Sequence, residues 1–318
     1  MKIVFMGTPE FAVATLDAIC KAGHDVAAVV TVPDKPAGRG LQLRPSAVKE
    51  YAVAHNLPVL QPEKLKSEDF LAQLRNIDAE VFVVVAFRML PEVVYAMPKH
   101  GAFNVHASLL PNYRGAAPIH HAVMNGETKS GVTTFFLDHQ IDTGDIIDSI
   151  EVPIRPDETT GELYDELMQK GAELAVRTLQ SISDGTVTTR PQPQLPADQL
   201  KPAPKIFKED TFIDWSRPTS EIYNKIRGLC PSPCACTHIR NHKGVEEQIK
   251  LFETEILYTE NKSAEPGSVR IKQPDTFAIS TKDGEILLKK LQWQGKSRLD
   301  IEAFLRGFHP ENYTLKVF

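Results

Sequence analysis

Asn104 and His106 lie two residues apart, ahead of the segment Ala107-Ser108-Leu109-Leu110-Pro111-Asn112-Tyr113-Arg114-Gly115, and a carboxylate arrives 36 residues after His106 in Asp142-Thr143-Gly144. On an extended segment that spacing points the amide and the imidazole to the same face. An amide donor, an imidazole and a carboxylate are the parts needed to move an acyl group through a tetrahedral oxyanion, without a metal or a covalent nucleophile. A neutral imidazole relays a proton near pH 7, and its cation steadies an oxyanion. Asp142 favours that charged form by Coulomb attraction. A lone histidine among apolar residues is more often a hydrogen-bonded core residue; Asn104 and the Asp142 turn set His106 apart. The competing arrangement is a Ser-His-Asp triad with Ser108 as nucleophile, but no G-x-S-x-G elbow surrounds Ser108.

Alternating strands and helices must position these residues. Lys2–Met6, Val26–Val32 and Val81–Phe87 are continuous apolar runs of the kind that parallel strands covered on both faces require. Pro9 fits a first helical turn, and Gly23 is placed to end that helix. Gly131–Leu137 and Asp145–Ile154 read as later strands. Thr159 with Glu162 resembles a capping box, and Leu163, Leu167, Leu174 and Ile182 share one helical face behind it. The pattern predicts a doubly wound, Rossmann-like α/β domain over residues 1–188. Residues 189–206 hold Pro191, Pro193, Pro196, Pro202 and Pro204, a density that favours a semi-rigid spacer. Beyond it, Thr219–Leu229 reads as a helix with Ile222, Ile226 and Leu229 on one face. Short strand candidates follow near 234–240, 248–258, 267–272, 276–281 and 285–293. That spacing predicts a small, OB-like β-barrel over 207–318.

The chain has 318 residues, 42% of them apolar, enough for two cores. No run of about 18 apolar residues predicts a membrane span, and the opening Met1–Gly7 reads as a buried strand rather than a targeting segment. Four cysteines, three of them clustered, are too few for a disulfide framework, and the expectation is a soluble protein of a reducing cytoplasm. The net charge of −5 disfavours nucleic acid as a partner, yet it divides unevenly. Residues 1–200 hold 17 Lys+Arg against 25 Asp+Glu, while 201–318 hold 19 against 16, a net of −8 and +3. A mildly basic C-terminal part can meet phosphate locally.

Three further constellations compete for attention. Pro33-Asp34-Lys35-Pro36-Ala37-Gly38-Arg39-Gly40, continuing to Arg44 and Lys49, gathers four basic residues and two glycines; composition alone favours a solvated surface loop, with phosphate contact as the alternative. Cys230, Cys234, Cys236, His238 and His242 form a C-x3-C-x-C-x-H-x3-H string with zinc-capable ligands. Strand alternation strings Cys234, Cys236 and His238 along about 13 Å of backbone, which does not close a tetrahedron, so no metal is expected. Gly7-Thr8-Pro9 turns from strand to helix like a dinucleotide site, but it is not G-x-G-x-x-G, and Pro9 removes a donor that phosphate wants.

The segment Asn104–Ile119, together with Gly7-Thr8-Pro9-Glu10-Phe11 and Asp142-Thr143-Gly144, strongly resembles the folate-dependent formyltransferases, and the resemblance covers essentially the whole chain. It is nearest to the members that act on tRNA. The resemblance implies transfer of a formyl group from 10-formyltetrahydrofolate to the amine of methionine carried by initiator tRNA; a monomer of the bacterial cytoplasm is the accompanying expectation. It implies that Asn104, His106 and Asp142 are the catalytic trio and that Ser108, Leu109, Leu110 and Pro111 lie against the folate, which turns Ser108 from nucleophile to binding residue. The Pro-Ala-Gly-Arg-Gly pattern marks the tRNA-directed members, so Arg39, with Lys35 and Arg44, is implied as the tRNA-contacting set. Ala86-Phe87-Arg88-Met89-Leu90 departs from those members, which usually carry Tyr-Gly after the alanine, and looks more like the relative acting on glycinamide ribonucleotide. There the backbone borders the pterin ring, so Arg88 and Leu90 are implied as pocket residues.

Overall fold

Runs of β-branched and aromatic residues build the centre of the N-terminal sheet. A computed structural model describes residues 1–37, 42–258 and 264–318. In it, β1 (Lys2–Gly7), α1 (Glu10–Lys21), β2 (Asp25–Val30), the short β3 (Lys35–Ala37) and β4 (Gln42–Arg44), α2 (Ala47–Ala54), β5 (Val59–Leu60), α3 (Glu68–Ile77), β6 (Val81–Val85), α4 (Glu92–Tyr95) and β7 (Ala102–His106) follow in order. After them come α5 (Pro118–Met124), β8 (Lys129–Phe136), β9 (Ile146–Pro153) and α6 (Thr160–Ser183). The sheet order is β5-β2-β1-β6-β7-β8-β9. Strands β5, β2, β1, β6 and β7 are parallel, whereas β8 runs antiparallel to both β7 and β9.

Both faces of this sheet are covered, as the uninterrupted apolar strands require. On one face Val4, Met6, Val30, Phe82 and Val84 pack against Phe70, Leu71 and Leu74 of α3. On the other, α6 passes close enough that a Cβ added at Gly171 would sit 3.2 Å from Val105 and 3.3 Å from Phe11 of α1. Gly23, at φ +80°, follows the end of α1 in the left-handed conformation that a helix C-terminus favours. At the start of α6 the expected capping box forms: the Thr159 N–H donates to Glu162 Oε2 at 2.8 Å and the Glu162 N–H donates to Thr159 Oγ1 at 3.3 Å. Leu163, Leu167, Leu174 and Ile182 of α6 are all buried.

The chain forms two compact units. The first comprises Met1–Pro118, Lys129–Pro153 and Tyr164–Ala203; the second comprises Ile119–Thr128, Ile154–Leu163 and Pro204–Phe318. In the second, α7 (Thr219–Leu229) packs Ile222, Ile226 and Leu229 against a largely antiparallel sheet. Its strands are β10 (Ala235–Asn241), β11 (Glu246–Tyr258), β12 (Val269–Lys272), β13 (Thr276–Ser280), β14 (Gly284–Trp293), β15 (Arg298–Asp300) and, after α8 (Ile301–Leu305), β16 (Tyr313–Val317). The order β12-β13-β14-β11-β10-β16 nearly closes on itself, because the Val317 N–H donates to the Gly267 carbonyl at 2.8 Å and Ser268 bridges Lys316. Gly267 permits that approach: at φ +83°, any Cβ there would lie 2.5 Å from the Val317 oxygen. This is the expected small barrel. Two segments distant in sequence belong to its unit, and Arg227 of α7 binds one of them through a hydrogen bond of 2.9 Å from Nη1 to the Glu158 carbonyl.

Leu167 is fully buried on α6. Leu167→Ala is expected to destabilise the fold by about 2–5 kcal/mol through lost transfer energy and a residual cavity, read from a urea midpoint at unchanged m-value.

Candidate active site

Strand β7 holds the first two candidate residues by pairing on both sides. It lies parallel to β6, with Val84 opposite Asn104, and antiparallel to β8, with Phe135 opposite Asn104 and Thr133 opposite His106. The change of direction leaves Asn104 and His106 at the C-terminal edge of the parallel strands, where open α/β sheets bind ligands. Thr133 continues the anchoring beyond the strand, since its hydroxyl donates to the Ser108 carbonyl at 2.7 Å.

The imidazole is buried and oriented. His106 Nε2 lies 2.8 Å from the Tyr113 carbonyl, which can only accept, so that nitrogen carries a hydrogen. In the neutral ring the lone pair therefore belongs to Nδ1, which faces Asp142 Oδ2 at 3.9 Å. That distance exceeds hydrogen-bond reach, so the pair interacts through charge once Nδ1 is protonated. The Phe135 ring lies edge-on to the imidazole at 6.4 Å. Asn104 keeps a buried Oδ1 with no hydrogen-bond partner. Leaving such an atom unsatisfied costs roughly 1–3 kcal/mol, which a ligand N–H removes.

Asp142 sits in the left-handed region at φ +55°, as do Tyr113 at +62° and Ala86 at +46°. Each costs about 1–3 kcal/mol and needs surroundings that enforce it. For Asp142 those surroundings are visible. Its Oδ2 accepts from the Gly115 N–H at 2.9 Å. Gln192 Nε2 donates to the Asp142 and Gly144 carbonyls, both at 2.9 Å. The Gln192 oxygen in turn accepts from Arg114 Nε at 3.2 Å and Nη2 at 2.6 Å. Burial lowers the pKa of Arg114, and the charge of Asp142 opposes that shift. Gly144 closes the turn against β8, where a Cβ would lie 1.7 Å from the Phe136 carbonyl oxygen.

The residues assigned to folate divide into side chains used inside the fold and a surrounding backbone. Ser108 is fully buried and its hydroxyl donates to the Asn112 carbonyl at 2.8 Å. Leu109 lies against Gly131, and Leu110 packs with Phe135 and Ile146. Pro111 is buried. Arg88 turns its guanidinium to the Glu63 and Pro62 carbonyls at 3.1 and 2.8 Å, and burial lowers its pKa. Leu90 belongs to the core around α3. Arg39 lies outside the described residues. On the hairpin that flanks it, Lys35 of β3 is directly opposite Arg44 of β4, and both are exposed. Lys49, by contrast, is tied to Asp34 at 2.6 Å; the Lys49 ammonium, helped by the Gln61 amide, holds the Asp34 carboxyl below its ordinary pKa.

Cys230 and Cys234 pack with Phe252 in a small apolar cluster, and Cys236 is buried beside them. Desolvation raises all three thiols, Cys234 to about 12. His238 stacks on Phe212 at 4.8 Å. Among the described residues, no group of three His, Cys, Asp or Glu side chains is placed to hold a metal ion. Sequence reasoning missed Gln192, Tyr113 and Gly115. Gln192 lies in a proline-rich stretch with no periodicity, and its partners are 48 to 78 residues away.

The family model described as "Formyl transferase" matches residues 1–179, and "Formyl transferase, C-terminal domain" matches residues 205–309. A methionyl-tRNA formyltransferase of Bacteroides fragilis is 47% identical over 310 residues, covering 97% of this chain and 95% of its own length. One from Flavobacterium johnsoniae is 49% identical, covering 96% of each. Among solved structures, an N-formyltransferase from Helicobacter canadensis in complex with folinic acid and dTDP-3-aminofucose shares the fold. Its TM-score is 0.62 at 22% identity, over 91% of this chain and 98% of that one.

Gly144→Ala is expected to cost at least about 2 kcal/mol in urea unfolding, because backbone must move, whereas Gly307→Ala, with open space around it, should change stability by less than about 0.5 kcal/mol. With its pKa near 12, Cys234 is a thiolate in only about 1 molecule in 10,000 at pH 8, and its labelling should accelerate sharply in denaturant; a thiol-reagent time course reads both rates.

Proposed function

The chain belongs to the formyl transferase family, and from that membership we infer that it transfers the formyl group of 10-formyltetrahydrofolate to the amino group of methionyl-tRNA, as translation initiation requires. Two relatives named for that reaction, matching nearly end to end at 47% and 49% identity, support this acceptor. The observation that carries the chemistry is the convergence of Asn104, His106 and Asp142 beside the edge of the parallel strands, with a buried amide oxygen unsatisfied.

10-Formyltetrahydrofolate supplies the electrophilic formyl carbon and gives up its bond from that carbon to the folate nitrogen as the new amide forms. Attack by the unprotonated methionine amine drives negative charge onto the formyl oxygen. Asn104 fits both partners: its Nδ2 donates to that oxygen, and its Oδ1 accepts an N–H of the incoming amine. His106, its Nε2 fixed on Tyr113, offers Nδ1 to take and return a proton. Asp142 steadies the imidazolium so formed across the 3.9 Å gap. The backbone around Ala86–Leu90 and Ser108–Pro111 serves the pterin, since the Ser108 and Arg88 side chains are already bonded within the fold.

Lys35 and Arg44 support the tRNA assignment. Like charges directly opposite on a hairpin repel, and a phosphate between them reverses the sign of that energy. Arg39 belongs to the same loop by sequence. Residues 1–188 would then perform the chemistry, with 207–318 adding contacts to tRNA; the basic surplus of +3 belongs to residues 201–318. The reading is of a monomer acting in the bacterial cytoplasm. No helix among the described residues is long and apolar enough to cross a membrane.

The direct test is formation of formylmethionine from 10-formyltetrahydrofolate and methionyl-tRNA. His106→Ala should lower kcat by about 100- to 10,000-fold with tRNA affinity, read by filter binding, held within about twofold; unchanged turnover sinks the assignment. Lys35→Ala and Arg44→Ala should each reduce the slope of log affinity against log salt by about 1.

A further inference from the structure

The proline-rich stretch after α6 is fastened to the loops of the site within the first unit. Arg190 and Ile146 exchange backbone hydrogen bonds at 2.9 and 2.8 Å. The Tyr113 N–H donates to the Lys201 carbonyl at 2.6 Å, and the Ala203 N–H donates to the Arg114 carbonyl at 2.9 Å. Between these fastenings lies Gln192, the side chain that reaches the Asp142 turn.

Its geometry leaves no freedom. Arg114 can only donate, so the atom it touches is the Gln192 oxygen. The amide nitrogen must then face the Asp142 and Gly144 carbonyls, and both of its hydrogens are used. Asp142 is strained at φ +55°, and two residues on the backbone runs so close to Phe136 that only glycine fits: a Cβ at Gly144 would lie 1.7 Å from the Phe136 carbonyl oxygen. We propose that Gln192 is a positioning residue for formyl transfer, holding Asp142 at the distance from which its carboxylate acts on His106. The proposal rests on the reading of Asp142 as catalytic. It gives the proline-rich stretch a role in the chemistry, through a side chain bonded to the Asp142 turn.

The experiment compares formyl transfer to methionyl-tRNA by the full chain and its variants Gln192→Ala, Gln192→Glu, Asp142→Asn and the double variant Gln192→Ala/Asp142→Asn. Gln192→Glu retains an acceptor for Arg114, and so the docking of the stretch, but loses both donors to the turn. Expected is a fall in kcat of about 10- to 100-fold for either Gln192 variant, with KM for tRNA within about twofold. In the Asp142→Asn background the same alanine substitution should cost less than about twofold more, because the group it positions is already gone. A merely structural role would multiply the two losses. Should Gln192→Ala fail to fold, Gln192→Glu carries the test. A slow Asp142→Asn enzyme beside a Gln192→Glu enzyme of full kcat overturns this proposal alone, and so do fully multiplicative losses. An Asp142→Asn enzyme of full kcat overturns the Asp142 assignment and the proposal together.

Discussion

The hydrogen bond from His106 Nε2 to the Tyr113 carbonyl is the contact on which the site depends. It fixes which ring nitrogen holds the hydrogen, and therefore which one meets Asp142. Without it the ring is free to present either nitrogen, and the 3.9 Å separation loses its meaning. The acceptor is available because Tyr113 adopts a left-handed conformation, in a loop held by Lys201 and Ala203. The imidazole is thus set by backbone that later chain anchors, and the strain in that backbone is offset by hydrogen bonds formed elsewhere.

Much of this was legible in the residues. Asn104 and His106 share a face because a strand repeats every two residues, and β7 forms where that alternation requires it. The helix Thr219–Leu229 appears with the expected bounds because Ile222, Ile226 and Leu229 recur at helical spacing. The last part of the barrel was not legible. Strand β16 exposes three of its five residues and β15 has only three, so neither carries an apolar signature. Gln192 was hidden for a different reason: a single polar side chain bonding across 50 residues leaves no local pattern.

Charge is handled differently at the Asp142 turn and on the β3–β4 hairpin. Around Asp142, donors converge on one turn, so its carboxylate is directed rather than merely present. On the hairpin of β3 and β4, Lys35 and Arg44 face each other across the strands, whereas Lys49 is withdrawn into an ion pair with Asp34. One arrangement holds a single carboxylate in place; the other sets two like charges side by side.

The composition of the second unit bears on how such a chain can be inherited. The chain enters it three times, so Ile119–Thr128 and Ile154–Leu163 travel with Pro204–Phe318 as structure but not as contiguous sequence. Arg227, for example, finds its carbonyl partner at Glu158, some seventy residues upstream. A recombination event at the proline-rich stretch would graft a barrel without two of its own pieces. An exchange there would therefore have to bring sequence matched to Ile119–Thr128 and Ile154–Leu163 as well.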